Sequence, residues 1–110
     1  MSATQLDCIP SKELYKDVLV RLTSGNEITL NYFELKNEDV KIPAHVHPVE
    51  HLVIVLHGSM EFVFEDKKVI MNPNDTMFVP ANVRHTAVVL IGPVKALEIY
   101  RLAEDEYYNR

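Results

Sequence analysis

The run Ala44-His45-Val46-His47-Pro48-Val49-Glu50-His51-Leu52-Val53-Ile54-Val55-Leu56 sets three imidazoles at the head of an apolar segment. His45 and His47 are two residues apart, so on extended chain both side chains leave the same face. His51 keeps that parity, provided Pro48 to Glu50 turn the chain without changing the face. His85 opens a later β-type segment, His85 to Leu90, and can bring a fourth ring from a neighbouring strand. Imidazole is the commonest protein ligand for divalent transition metals, and several rings on one buried face are costly without an ion to bind. The spacing therefore predicts a metal site of His45, His47, His51 and His85. Glu50 has the opposite parity and is expected to face away. His57 lies six residues beyond His51, about 20 Å along a strand, and abuts Gly58 in a turn, so it is expected at the surface.

Outward from this stretch, turn-forming clusters recur at Ser24-Gly25-Asn26, Lys36 to Asp39, Pro48, His57 to Ser59, Glu65 to Lys67, Asn72 to Asp75, Pro80 to Asn82 and Gly92-Pro93. That beat is the one expected of an all-β sandwich or barrel. The segments between are rich in Val, Ile, Phe, Tyr and Thr: Val18 to Leu22, Glu27 to Leu35, His51 to His57, Met60 to Glu65, Val69 to Met71, Thr76 to Val79, His85 to Leu90 and Val94 to Leu102. Eight or more strands follow, and a jelly roll buries their edges while leaving a central cavity. Glu13 to Leu22 is ambiguous, because Leu14, Val18 and Leu22 keep a four-residue rhythm that a helix also uses. On Glu27 to Leu35 the pattern does not choose between an inward face of Thr29, Asn31, Phe33 and Leu35 and one of Leu30, Tyr32 and Glu34. Tyr32, Phe33, Met60, Phe62, Phe64, Met77 and Phe78 are expected in the core.

The 110 residues are 47% hydrophobic and 25% charged, which fits a single domain spanning residues 1–110, with 1–12 and 103–110 expected to be loosely attached. A formal charge of −5 argues against nucleic acid or an anionic membrane as partner. The longest apolar runs, Leu52 to Leu56 and Ala87 to Ile91, are far short of the roughly 20 residues that span a bilayer. With neither a basic start nor an apolar stretch before Pro10, and with Cys8 as the single cysteine, a cytoplasmic location is expected. Cys8 has no histidine near it in sequence and reads as an inert thiol.

Asp39 to Gly58 resembles the first cupin motif, Gly-x5-His-x-His-x3-Glu-x6-Gly, in its spacing from His45 through His47 and His51 to Gly58. Asn74 to Val89 resembles the second, Gly-x5-Pro-x-Gly-x2-His-x3-Asn, with Pro80 and His85 in register. Asp39, Asn74 and Asn82 stand where the family usually has glycine. Asn and Asp best tolerate positive φ among other residues, so the turns can survive. Val89 replaces the late Asn. His51 stands at the family's glutamate ligand position, so the chain is similar to the small single-domain microbial cupins with a four-histidine metal site on a double-stranded β-helix barrel.

The resemblance implies one divalent transition metal, Mn, Fe, Ni or Zn. Four neutral imidazoles leave that site at +2, which favours an anionic ligand or an ionised water. An octahedral ion retains two adjacent positions for substrate or O2, whereas tetrahedral Zn with four protein ligands is closed and structural. On the last strand Val94, Ala96, Glu98, Tyr100 and Leu102 share one face. Many small cupins turn an acid and an aromatic from this strand into the barrel, and Glu98-x-Tyr100 is similar to that pattern. Turned inward, Glu98 offsets the charge and acts as general acid or base; turned outward, both residues are solvated. The resemblance implies a small-molecule metalloenzyme, with dioxygenase or Lewis-acid chemistry on an enolisable, anionic substrate. One alternative is an unsaturated-uronate isomerase or ring-opening enzyme of pectin degradation, although Arg101 lies off the face of Glu98 and Tyr100. Another is a non-catalytic metal- or small-molecule-binding module. A homodimer is expected for the family.

Overall fold

Alternation of more and less buried residues, clearest in segments such as His51 to Val55 and Val94 to Tyr100, gives the strands an inner and an outer face. The computed structural model describes residues 2–101 and contains eight strands: β1 Ser11–Tyr15, β2 Val18–Ser24, β3 Ile28–Leu35, β4 Lys41–His45, β5 His51–Phe64, β6 Lys68–Met71, β7 Thr76–Val79 and β8 His85–Arg101. All pairings are antiparallel. The order β1-β2-β3-β8-β5-β6 is extended by β4 on β8 and β7 on β5. Both long strands run through both halves of this single eight-stranded sheet. The first half of β5 (Leu52 to Val55) pairs with the end of β8 and with β7, and its second half (Ser59 to Phe64) pairs with the start of β8 and with β6. This is the jelly-roll β-barrel anticipated from the turn spacing.

The inner faces enclose the core. Val18, Leu35, Val55, Val89 and Val94 are wholly buried, and Phe33, Met60, Phe62 and Met71 pack with them. Each such side chain contributes roughly 1.5–3 kcal/mol by leaving water.

Three differences from expectation, and one ambiguity that the structure decides, have physical causes. The two segments predicted at His51 to His57 and Met60 to Glu65 are one strand, and so are those at His85 to Leu90 and Val94 to Leu102 as far as Arg101. The register shifts between Val55, His57, Ser59 and Met60, and Gly58 sits at φ 74°, so the turn residues are absorbed as bulges that bend the ladder without ending it. A Cβ at Gly58 would collide with the carbonyl oxygens of Pro93 and Ile91. Second, the ambiguous segment is a hairpin: β1 and β2 pair around Asp17, whose φ is 63°. Third, residues 1–12 are tied down from Leu6 onward. Leu6–Cys8 form a 3-10 turn, Ile9 is buried, and Arg21 Nη1 donates to the carbonyls of Asp7 (2.9 Å) and Ile9 (2.6 Å). The predicted loose tail at 103–110, like Leu102, lies outside the described residues. Fourth, Phe78 is 64% exposed, because the parity that buries Val79 turns it outward on β7.

The three non-glycine residues at motif glycine positions adopt the left-handed conformation their chemistry permits, with φ 65° at Asp39, 73° at Asn74 and 63° at Asn82. These turns precede β4, β7 and β8, and those at Asp39 and Asn82 lead into the strands that carry His45 and His85.

Candidate metal centre

His45 ends β4, His51 opens β5 and His85 opens β8, with His47 on the short connection between β4 and β5. His45 and His85 are direct register partners, and their ring centroids lie 4.3 Å apart. His47 is 4.5 Å from His45, 4.0 Å from His51 and 5.4 Å from His85 by the same measure. The potential ligand atoms of His45, His47 and His85 fall within 4.8 Å of one another, and so do those of His47, His51 and Glu98. Ligands bound at about 2.1 Å stand roughly 3 Å apart when adjacent and 4.2 Å apart when opposite, so such sets can close on an ion with small side-chain movements. The four sequence-predicted histidines thus form one cluster, joined through His47. His47, His51 and His85 are buried and His45 is half-buried.

The donor chemistry of the cluster fits a cation. His45 Nδ1 lies 2.7 Å from the carbonyl of Pro43, and His85 Nδ1 lies 3.0 Å from that of Val83. A carbonyl only accepts, so each Nδ1 carries the proton and donates, leaving the Nε2 lone pair for a ligand. Burial pushes His45 down to about 4, against the opposing pull of the Pro43 carbonyl, and lowers His85 for the same reason. Both rings are therefore neutral near pH 7, the state a metal requires.

Glu98 and Tyr100 lie on the inward face of β8. Glu98 Oε2 is 3.1 Å from His51 Nδ1, and the Tyr100 ring stacks on His51 at 4.3 Å and 14°. A carboxylate behind a ligating imidazole fixes its tautomer and raises its basicity. Sequence reasoning missed one member of this group. Asn31, fully buried on β3 opposite Glu98, donates from Nδ2 to Glu98 Oε1 (3.2 Å) and to the Tyr100 hydroxyl (3.3 Å). Its orientation follows from the partner, since an amide oxygen turned toward an acceptor-only carboxylate would be repelled. The available signal was an amide among Phe33 and Leu35 on one candidate face of β3, a face the pattern alone did not select.

The remaining residues stand where parity puts them. Glu50 is exposed. His57 is also exposed, and its Nδ1 contacts the Pro93 carbonyl at 2.9 Å. Val89 is buried in the core, and Cys8 is exposed as a free thiol. Arg101 is exposed, away from the cluster. Beside the histidines lies a cavity of about 30 Å³ walled by Phe33, Val53, Met60, Phe62, Ala87 and Ala96 among others, with His45, His51, His85 and Glu98 at its polar end. Among the described residues no helix is long and apolar enough to cross a membrane.

Comparison with known proteins identifies the family and the fold. The cupin domain family matches residues 31–100, a span that includes Asn31, all four histidines, Glu98 and Tyr100. Among solved structures, KdgF from Halomonas sp. is 16% identical, with 96% of this chain and 98% of that chain covered at a TM-score of 0.83. The polyketide cyclase RemF from Streptomyces resistomycificus is 20% identical, with 97% and 89% covered at 0.80. An RmlC-like cupin from Shewanella frigidimarina is 14% identical, with 94% and 93% covered at 0.82. At these identities the likeness shows the shared fold. No curated protein matches the sequence.

Proposed function

The chain belongs to the cupin domain family, and on that premise we propose that it is a metal-dependent enzyme acting on a small, enolisable or oxyanion-bearing organic molecule. His45, His47, His51 and His85 would hold one divalent ion, Mn, Fe, Ni or Zn. When bound, that ion supplies Lewis acidity toward an oxyanion and, as Fe or Mn, a place for O2. The observation that carries the reading is the polar group behind His51. Besides orienting His51, the Glu98 carboxylate lines the cavity beside the histidines, where a bound molecule would meet it. Glu98 would take a proton from a substrate carbon or hydroxyl and return it later. Asn31 holds its Oε1 in position, and Tyr100 braces the His51 ring.

The test is turnover of candidate diketones by protein carrying its native metal, followed by O2 uptake and product analysis. Glu98→Gln keeps the shape and removes the base, so a fall of about 10²- to 10⁴-fold in kcat is expected with metal supplied in excess to offset any loss of affinity through His51. Unchanged turnover in that variant would count against the assignment. Failure of every candidate while metal stays bound would favour a non-catalytic binding module. The uronate isomerase or ring-opening alternative has less support, because no arginine or lysine lines the cavity among the described residues.

A homodimer is part of this reading. Ile28 (60% exposed) and Phe78 flank Leu52 and Ile99 on the outer face of one sheet, a patch suited to a second copy. Light scattering expects twice the mass of the 12.6 kDa chain.

A further inference from the structure

The cavity walls narrow the substrate class further. Its polar side chains are the histidines, Glu98 and Tyr15, while the rest of the body is formed by aliphatic, methionine and phenylalanine side chains, of which Phe33, Val53, Met60, Phe62, Ala87 and Ala96 are buried. No Lys, Arg, Ser, Thr, Asn or Gln lines it among the described residues. A ligand hydroxyl pushed against the walls formed by Phe33, Met60 and Phe62 gives up its water and gains no partner from them, and the single Tyr15 phenol cannot serve several hydroxyls, whereas a methylene gains by leaving water. A second carboxylate would enter without a cation to meet it. The volume of about 30 Å³ restricts the apolar body to a few carbons.

From these features we infer that the site takes a short-chain, predominantly apolar molecule carrying one oxyanion-forming head, and discriminates against polyhydroxylated acids of similar length. The head faces the histidines and Glu98, and the tail lies against Phe33, Met60 and Phe62. The inference rests on the metal reading above, since the head is what the ion would hold. It adds that selectivity resides in the walls.

Hydroxamates separate the two ideas, because one chelating head can carry different tails. Isothermal titration of metal-loaded protein with acetohydroxamate tests the head alone. Butanohydroxamate adds two methylenes and should bind about 15-fold tighter, at about fourfold per buried methylene. 4-Hydroxybutanohydroxamate keeps that carbon chain, places its hydroxyl beyond reach of the chelate, and should bind at least about fivefold more weakly than butanohydroxamate. Equal affinities across the series, or tighter binding of the hydroxylated tail, would overturn the inference while leaving the metal reading intact. Protein that holds no metal by elemental analysis and binds none of the three would overturn both.

Discussion

Replacing Asn31 with alanine removes the one amide that holds Glu98 and Tyr100 together beneath His51. Two hydrogen bonds are lost, at 3.2 Å to the carboxylate and 3.3 Å to the phenol, in a position with no exposure to water. A bond to a charged acceptor is worth about 1.5–3 kcal/mol and a neutral one about 0.5–1.5 kcal/mol. The buried Asn31 Oδ1, which has no hydrogen-bond partner among the described residues, leaves with the side chain and returns part of that cost. A net loss of about 2–3 kcal/mol remains. With a urea dependence of about 1.5 kcal/mol per molar for a chain of this size, the unfolding midpoint of metal-free protein should fall by about 1.5 M. A carboxylate that orients a ligating imidazole typically affects metal affinity 10- to 100-fold, so chelator competition should show a loss of about tenfold. Asn31→Leu, with the same branched heavy-atom skeleton but somewhat larger and apolar, should show the same affinity loss, which separates the hydrogen bonds from the loss of packing in Asn31→Ala. A midpoint within about 0.3 M of the parent, with metal affinity unchanged in both variants, would refute the idea that this network supports the site.

Gly58→Ala should cost about 3 kcal/mol or more in urea unfolding. The residue sits at φ 74°, and the new Cβ would meet the backbone oxygens of Pro93 and Ile91. Gly25→Ala is the matched control, since its Cβ meets nothing within 4 Å, and its effect should stay within about 1 kcal/mol. Metal-free protein should lose stability as pH falls from about 6.5 toward 4. The folded values of His45 and His85 are lowered by burial, so across this window the unfolded chain binds protons that the folded chain does not, and below about 4 the His45 contribution levels off. Urea midpoints measured at intervals from pH 7.5 to 4 check the sign, and a midpoint that rises on acidification would contradict it.

Much of the architecture was legible because turn chemistry and side-chain parity are local. Asp39, Asn74 and Asn82 announced positive φ by composition, and the parity of His45, His47 and His51 announced a common face. Parity also set Glu50 and Arg101 apart from the cluster. What remained hidden depends on distant partners. The sequence around Gly58 reads as a turn, and only the neighbouring strand, which keeps pairing on both sides of it, makes it a bulge. The inward face of β3 could not be chosen until β8 brought Glu98 opposite Asn31, sixty-seven residues away. Leu14, Val18 and Leu22 fit a helix as well as a strand, and pairing of β1 with β2 across Asp17 decided between them. Residue type alone puts Phe78 in the core, whereas its neighbour Val79 occupies the inward position.

The most direct test of the four-histidine site is elemental analysis of untagged protein beside its His47→Ala variant, with circular dichroism to confirm that both are folded. His47 belongs to both ligand sets, so its loss should abolish binding wherever the ion sits. The expected result is about one equivalent of a single divalent transition metal per chain in the parent and a small fraction of that in the variant, with the β-sheet spectrum retained. A parent free of metal even after incubation with Mn, Fe, Ni and Zn, or a folded variant that holds as much as the parent, would contradict it.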